Sequence, residues 1–75
     1  MKLIPVVSSC IAALGYEPQD HVLGIQFTSG KLYHYFDVPS LVYQRLLHAE
    51  SHGTCFNELV KDRYPFSLVR KPRNN

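Results

Sequence analysis

Val22-Leu23-Gly24-Ile25-Gln26-Phe27-Thr28-Ser29-Gly30-Lys31-Leu32-Tyr33-His34-Tyr35-Phe36 is the stretch on which the fold turns. Two runs rich in β-branched and aromatic residues flank Thr28-Ser29-Gly30, the pattern of a β-hairpin. Two registers compete. A two-residue loop sets Phe27 opposite Leu32 and sends Tyr33 and Tyr35 to the face away from Leu23, Ile25 and Phe27. A three-residue loop with Gly30 in the left-handed conformation instead pairs Phe27 with Lys31, Ile25 with Tyr33 and Leu23 with Tyr35. The second register segregates polarity better. It gathers Leu23, Ile25, Phe27, Tyr33 and Tyr35 on one buried face and leaves Gly24, Gln26 and His34 toward water.

Outward from the hairpin, Ile11 to Tyr16 reads as a strand preceding Val22–Thr28 and Leu32–Phe36, so the three form an antiparallel meander. Beyond it, Pro39 suits a first helical turn, and Val42, Leu46 and Ala49 recur at the spacing of a half-buried helix that Gly53 is expected to stop. Thr54 is positioned to cap a second helix. Its apolar positions, Phe56, Leu59, Val60 and Tyr64, run until Pro65. Phe66-Ser67-Leu68 carries only a faint extended signal. The expected architecture is one α+β domain over residues 1–75: a three-stranded antiparallel meander followed by two helices packed on one face.

Composition agrees with a folded chain. Of the 75 residues, 45% are hydrophobic and 19% charged, a balance that excludes a charge-swollen disordered segment. The net charge is +2 and unevenly spread. From Lys61 onward Lys61, Arg63, Arg70, Lys71 and Arg73 face the single acid Asp62, a net of +4 that leaves −2 for residues 1–60. An anionic partner would therefore meet the C-terminal part first. The segment 70–75 reads as a basic tail, with nothing apolar to bury after residue 70.

Cys10 and Cys55 make no Cys-x-x-Cys pair, so reduced thiols in a cytoplasmic setting are expected. Leu3 to Val7 is shorter than the ~7–15 residues of a signal h-region and is broken by Pro5, and no run reaches membrane-spanning length. No membrane association and no cofactor are expected.

The order and spacing of several short motifs carry a family resemblance: Ser8-Ser9-x-Ile11, Gly15-Tyr16, Phe27-x-Ser29-Gly30, Tyr33-His34-Tyr35, Val38-Pro39, Ala49-x-Ser51-x-Gly53 and Phe56-Asn57. From Ser8 to about Tyr64 the chain resembles the KTSC domain, found at the C-terminus of some lysyl-tRNA synthetases and as small stand-alone bacterial proteins. The resemblance makes Tyr33 and Tyr35 the hallmark of the family. Through the synthetase context it also implies RNA binding as an expectation. The chain lacks any synthetase catalytic region.

The chemistry-bearing residues admit competing readings. Tyr33 and Tyr35 could stack unpaired bases with Lys31 near the phosphate, but the favoured register makes them core residues with their hydroxyls at the sheet margin. His48 and His52, four apart, with Cys55 three further on, could meet at a helix end, yet no fourth metal ligand is apparent and histidines there also suit the helix dipole. A nucleophilic Cys55 with His52 or His48 lacks a visible orienting group, and no phosphate loop, dinucleotide fingerprint or carboxylate pair is present. A non-enzymatic binding module is expected. Nucleic acid, RNA foremost, held by Lys31, Lys61, Arg63, Arg70, Lys71 and Arg73, leads over a protein partner docking on an open sheet edge.

Overall fold

The computed structural model describes residues 1–70; Lys71 and Arg73, two of the expected phosphate contacts, lie outside the described residues. The elements are β1 (Ile4–Pro5), β2 (Ile11–Glu17), β3 (Val22–Phe27), β4 (Leu32–Tyr35), α1 (Ser40–Leu47), α2 (His52–Leu59) and β5 (Phe66–Arg70). They form a five-stranded sheet in the order β1-β2-β3-β4-β5, with every neighbouring pair antiparallel. The fold class is α+β as expected, but the sheet has two more strands than the three-stranded meander read from the sequence.

The central hairpin adopts the three-residue loop. Leu23 pairs with Tyr35 and Ile25 with Tyr33. The Phe27 N–H donates to the Lys31 carbonyl at 2.9 Å, and the Gly30 N–H to the Phe27 carbonyl at 2.9 Å. Gly30 has φ 96°, a conformation that costs a residue with a Cβ and costs glycine little. This register sets Leu14, Leu23 and Ile25, all fully buried, on the face covered by the helices. There they meet Val38, Leu46, Phe56 and Val60, and each buried aliphatic side chain contributes roughly 1.5–3 kcal/mol.

α1 is held against the sheet by Tyr43, whose ring stacks on Tyr16 with centroids 5.2 Å apart. The Tyr16 hydroxyl donates to the Val38 carbonyl at 2.5 Å, and the Val38 N–H donates to the His21 carbonyl at 3.0 Å, so the segment leading into α1 is tied to β2 and to the β2–β3 turn. α1 ends at Leu47 with His48 as its C-cap, five residues before Gly53. Gly53 lies inside α2 instead, where a Cβ would come within 2.9 Å of the Cys10 sulfur. Ser51, not Thr54, caps α2: its Oγ accepts the Thr54 N–H at 3.2 Å. Such a cap is worth about 1 kcal/mol.

The edge strands are what the sequence pattern conceals. β1 is two exposed residues, with Pro5 tolerated because, among the described residues, the strand has no neighbour beyond it. β5 incorporates Arg70, so the segment read as a tail from residue 70 begins as strand paired with Leu32. The face opposite the helices also departs from expectation. Gly24 is buried, not water-facing, because Met1 and Leu3 lie across it and across its partner Gly15. A Cβ at Gly15 would sit 2.6 Å from the Lys2 carbonyl oxygen. The missing side chains make room for the N-terminal segment.

Candidate functional site: an aromatic groove

The helix-side register brings five aromatic rings together at the β4–β5 margin. Tyr35 meets Phe56 with centroids 5.6 Å apart and Phe66 at 5.7 Å. Tyr33 meets Phe27 edge-on and Phe66 in a tilted contact, both at 5.7 Å. Tyr35 is buried at 6% exposure, Tyr33 is half-buried, and Phe66 is 61% exposed. The pair of tyrosines thus divides: Tyr35 belongs to the core, as the register argument requires, while Tyr33 stands between core and surface. Phe66 faces Tyr35 because β5 pairs it there.

These rings line an open groove of about 380 Å³, together with Ser29, Lys31, Asn57, Lys61 and Asp62. Its volume falls at the lower end of small-molecule sites, room for one planar group rather than a long run of them. Of the basic residues named from the sequence, Lys31 and Lys61 line it and both are exposed. Arg63 is not among its lining residues; its Nε donates to the Glu58 carbonyl at 2.7 Å. Burial, with smaller contributions from Tyr33 and the Asp62 charge, pushes the Tyr35 hydroxyl up to about 12. It therefore stays neutral in the cell's pH range, as a hydrogen-bonding group next to the groove. Phe66, Asp62 and Asn57 are groove residues that the sequence reading did not single out. The facing of Phe66 onto the Tyr-x-Tyr pair depends on a strand partnership thirty residues away.

A second depression, about 430 Å³, lies between the Ser8–Cys10 loop and the start of α2. Three of its hydroxyls, those of Ser8, Ser51 and Thr54, are already engaged. Ser8 Oγ accepts from the Cys10 and Ile11 amides, each at 3.3 Å, and Ser51 serves as the α2 cap. The two depressions share Asn57.

The histidine and cysteine arrangement differs from the one the spacing suggested. His48 closes α1 and His52 opens α2, so they do not sit one turn apart on one helix. One ring nitrogen of His52, Nε2, lies 3.3 Å from the Leu47 carbonyl, and the other, Nδ1, is buried without a hydrogen-bond partner among the described residues. Among the described residues no group of three His, Cys, Asp or Glu side chains is placed to hold a metal ion. Burial raises the Cys55 thiol pKa, Glu58 adding and Arg45 opposing, the reverse of the activation a nucleophilic thiol needs. Among the described residues no helix is long and apolar enough to cross a membrane.

Comparison with known proteins places this architecture. A protein of Tsukamurella paurometabola is 47% identical over 60 residues, which cover 80% of this chain and 90% of that one. An uncharacterized protein of Stutzerimonas stutzeri is 42% identical over 64 residues, covering 85% and 90%. A lysine–tRNA ligase of Nostoc punctiforme is 38% identical over 67 residues, which are 89% of this chain but 12% of the ligase. The crystal structure of a KTSC domain protein from Yersinia pestis superposes with a TM-score of 0.90 at 32% identity, covering 92% of this chain and 97% of that one. The family model described as KTSC domain matches residues 7–64. The chain belongs to the KTSC domain family.

Proposed function

We propose that this protein is a non-catalytic binding module for single-stranded RNA, and that the aromatic groove is where it binds. The observation that carries the reading is that Tyr33 and Phe66 line one open groove together with Lys31 and Lys61. A ring accessible to solvent provides a stacking face for an unpaired base, and a nearby lysine neutralises the phosphate attached to it. The basic balance from Lys61 onward adds a favourable field for an anionic strand. Kinship with a segment of lysine–tRNA ligases supports an RNA setting over DNA.

The test is a fluorescence-anisotropy titration of a mixed-sequence RNA at several salt concentrations. Lys31→Ala and Lys61→Ala should each reduce the slope of log affinity against log salt, by roughly 0.7 for every phosphate the lysine neutralises. Phe66→Ala removes a ring that is 61% exposed and should weaken binding by roughly 5- to 150-fold. Unchanged affinity in Phe66→Ala would exclude the groove. A chain ending at Arg70 reports separately on Lys71 and Arg73. The second reading is a protein partner that adds a strand beside β5, favoured by the exposure of Phe66 (61%) and Val69 (50%) on that edge. Such binding would be nearly insensitive to salt.

A further inference from the structure

Asp62 is the groove residue that a plain phosphate binder does not need. Asp62 lines the same groove as Lys31 and Lys61, and its negative charge repels the phosphates those lysines would attract. Backbone conformation does not demand the charge. Asp62 has φ 62°, a left-handed geometry that suits a short polar residue, and asparagine serves there as well as aspartate. The rise in the Tyr35 pKa, to which the Asp62 charge contributes, agrees with a carboxylate close to the ring floor.

An ionised carboxylate only accepts hydrogen bonds. Among the bases, guanine alone carries two adjacent donors on its pairing edge, N1–H and N2–H, which match the two carboxylate oxygens. Cytosine and adenine offer one amino group beside a ring acceptor, and uracil a single N3–H between two carbonyls that would repel the carboxylate. Guanine also presents O6 next to N1. Asn57 and Lys61, both lining the groove, supply donors of the kind O6 requires.

We infer that the groove selects guanine, with Asp62 accepting from N1–H and N2–H of a base stacked against Tyr33 and Phe66. This rests on the single-stranded RNA reading above and names the base that reading leaves open. The lysines then hold the flanking phosphates while Asp62 and Asn57 read the base edge, the division between positioning and specifying contacts common in nucleic-acid recognition.

The experiment compares the full chain binding four RNA pentamers, the uridine pentamer and three others with a central guanine, adenine or cytosine. The guanine pentamer should bind about tenfold or more tightly than the uridine one, the scale of a good bidentate base contact. Asp62→Asn keeps a residue suited to the left-handed backbone, and its fold is checked by circular dichroism. In that variant the guanine advantage should shrink to about twofold while uridine binding is retained or improved. Equal affinity for all four pentamers, or a guanine preference that survives Asp62→Asn, overturns the inference and leaves the stacking reading standing. No binding to any pentamer overturns both.

Discussion

Replacing Tyr35 separates what its ring does from what its hydroxyl does. The ring is 6% exposed and contacts Tyr33, Phe56 and Phe66 with centroids 5.6–6.3 Å away. Tyr35→Ala should therefore cost about 3–5 kcal/mol, the range for buried aromatic truncations. A domain of this size has roughly 4–11 kcal/mol in total, so the loss should lower the Tm by about 12–40 °C. Tyr35→Phe keeps the ring and should be nearly neutral at pH 7. At high pH the two proteins part. Burial holds the Tyr35 pKa at about 12 in the folded chain, against about 10 when unfolded. Below pH 10 both states are protonated and the stability is complete. Between 10 and 12 the unfolded chain loses its proton first, and stability falls. The gap corresponds to at most about 2.7 kcal/mol, reduced to roughly 1–2 by the solvent that reaches the groove. Urea denaturation followed by circular dichroism at pH 7, 10 and 11 measures all three proteins. An unchanged midpoint in Tyr35→Ala, or an alkaline loss in Tyr35→Phe equal to that of the parent, would refute the assignment.

The glycine floor under the N-terminus yields a cycle: Gly15→Ala should cost about 1–3 kcal/mol in the full chain and little once residues 1–5 are deleted, because its Cβ meets the Lys2 carbonyl. Additive Tm changes across the four proteins would show that no such contact forms. Tyr16→Phe removes the donor to the Val38 carbonyl and should cost about 1 kcal/mol by the same denaturation assay, with no loss if the bond does not form in solution. Cys10 is exposed whereas Cys55 is half-buried with its pKa raised by desolvation, so iodoacetamide at pH 8 should modify Cys10 first. Mass spectrometry of timed samples gives the order, and faster labelling of Cys55 would contradict it. The same spectra of protein prepared without reductant should show no intramolecular disulfide.

The hairpin was legible because two-residue periodicity and Ser29-Gly30 act locally: once Gly30 takes a positive φ, the partners of Ile25 and Leu23 follow. The outer strands were not. β1 spans two exposed residues, one of them proline, and Phe66–Val69 in β5 has no buried residue, so neither shows the alternation that marks a half-buried strand. Gly53 read as a helix stop because nothing near it in sequence reveals that Cys10 approaches it. The site divides the same way. Tyr33 and Tyr35 were visible as neighbours on one strand with Lys31 just before it, and Lys61 as part of a basic run. Phe66 joins them only through the long β4–β5 pairing, and Asn57 and Asp62 only because Phe56 packs α2 against Phe27 and Tyr35; these non-local contacts leave no periodic trace.

That pairing also bears on the order in which the molecule assembles. β2, β3 and β4 are linked by four-residue connections, whereas β4 and β5 are thirty residues apart with both helices between them. Closing the longer loop costs more chain entropy, and a nucleus formed from the local hairpins precedes it. β5 then docks after the local β2–β3–β4 hairpins, and its amides should exchange with solvent sooner than those of β3. Since Phe66 comes from β5, the groove exists only when this later step is complete. Any ligand held there draws on the same equilibrium and, by mass action, acts as a clasp on the docked strand.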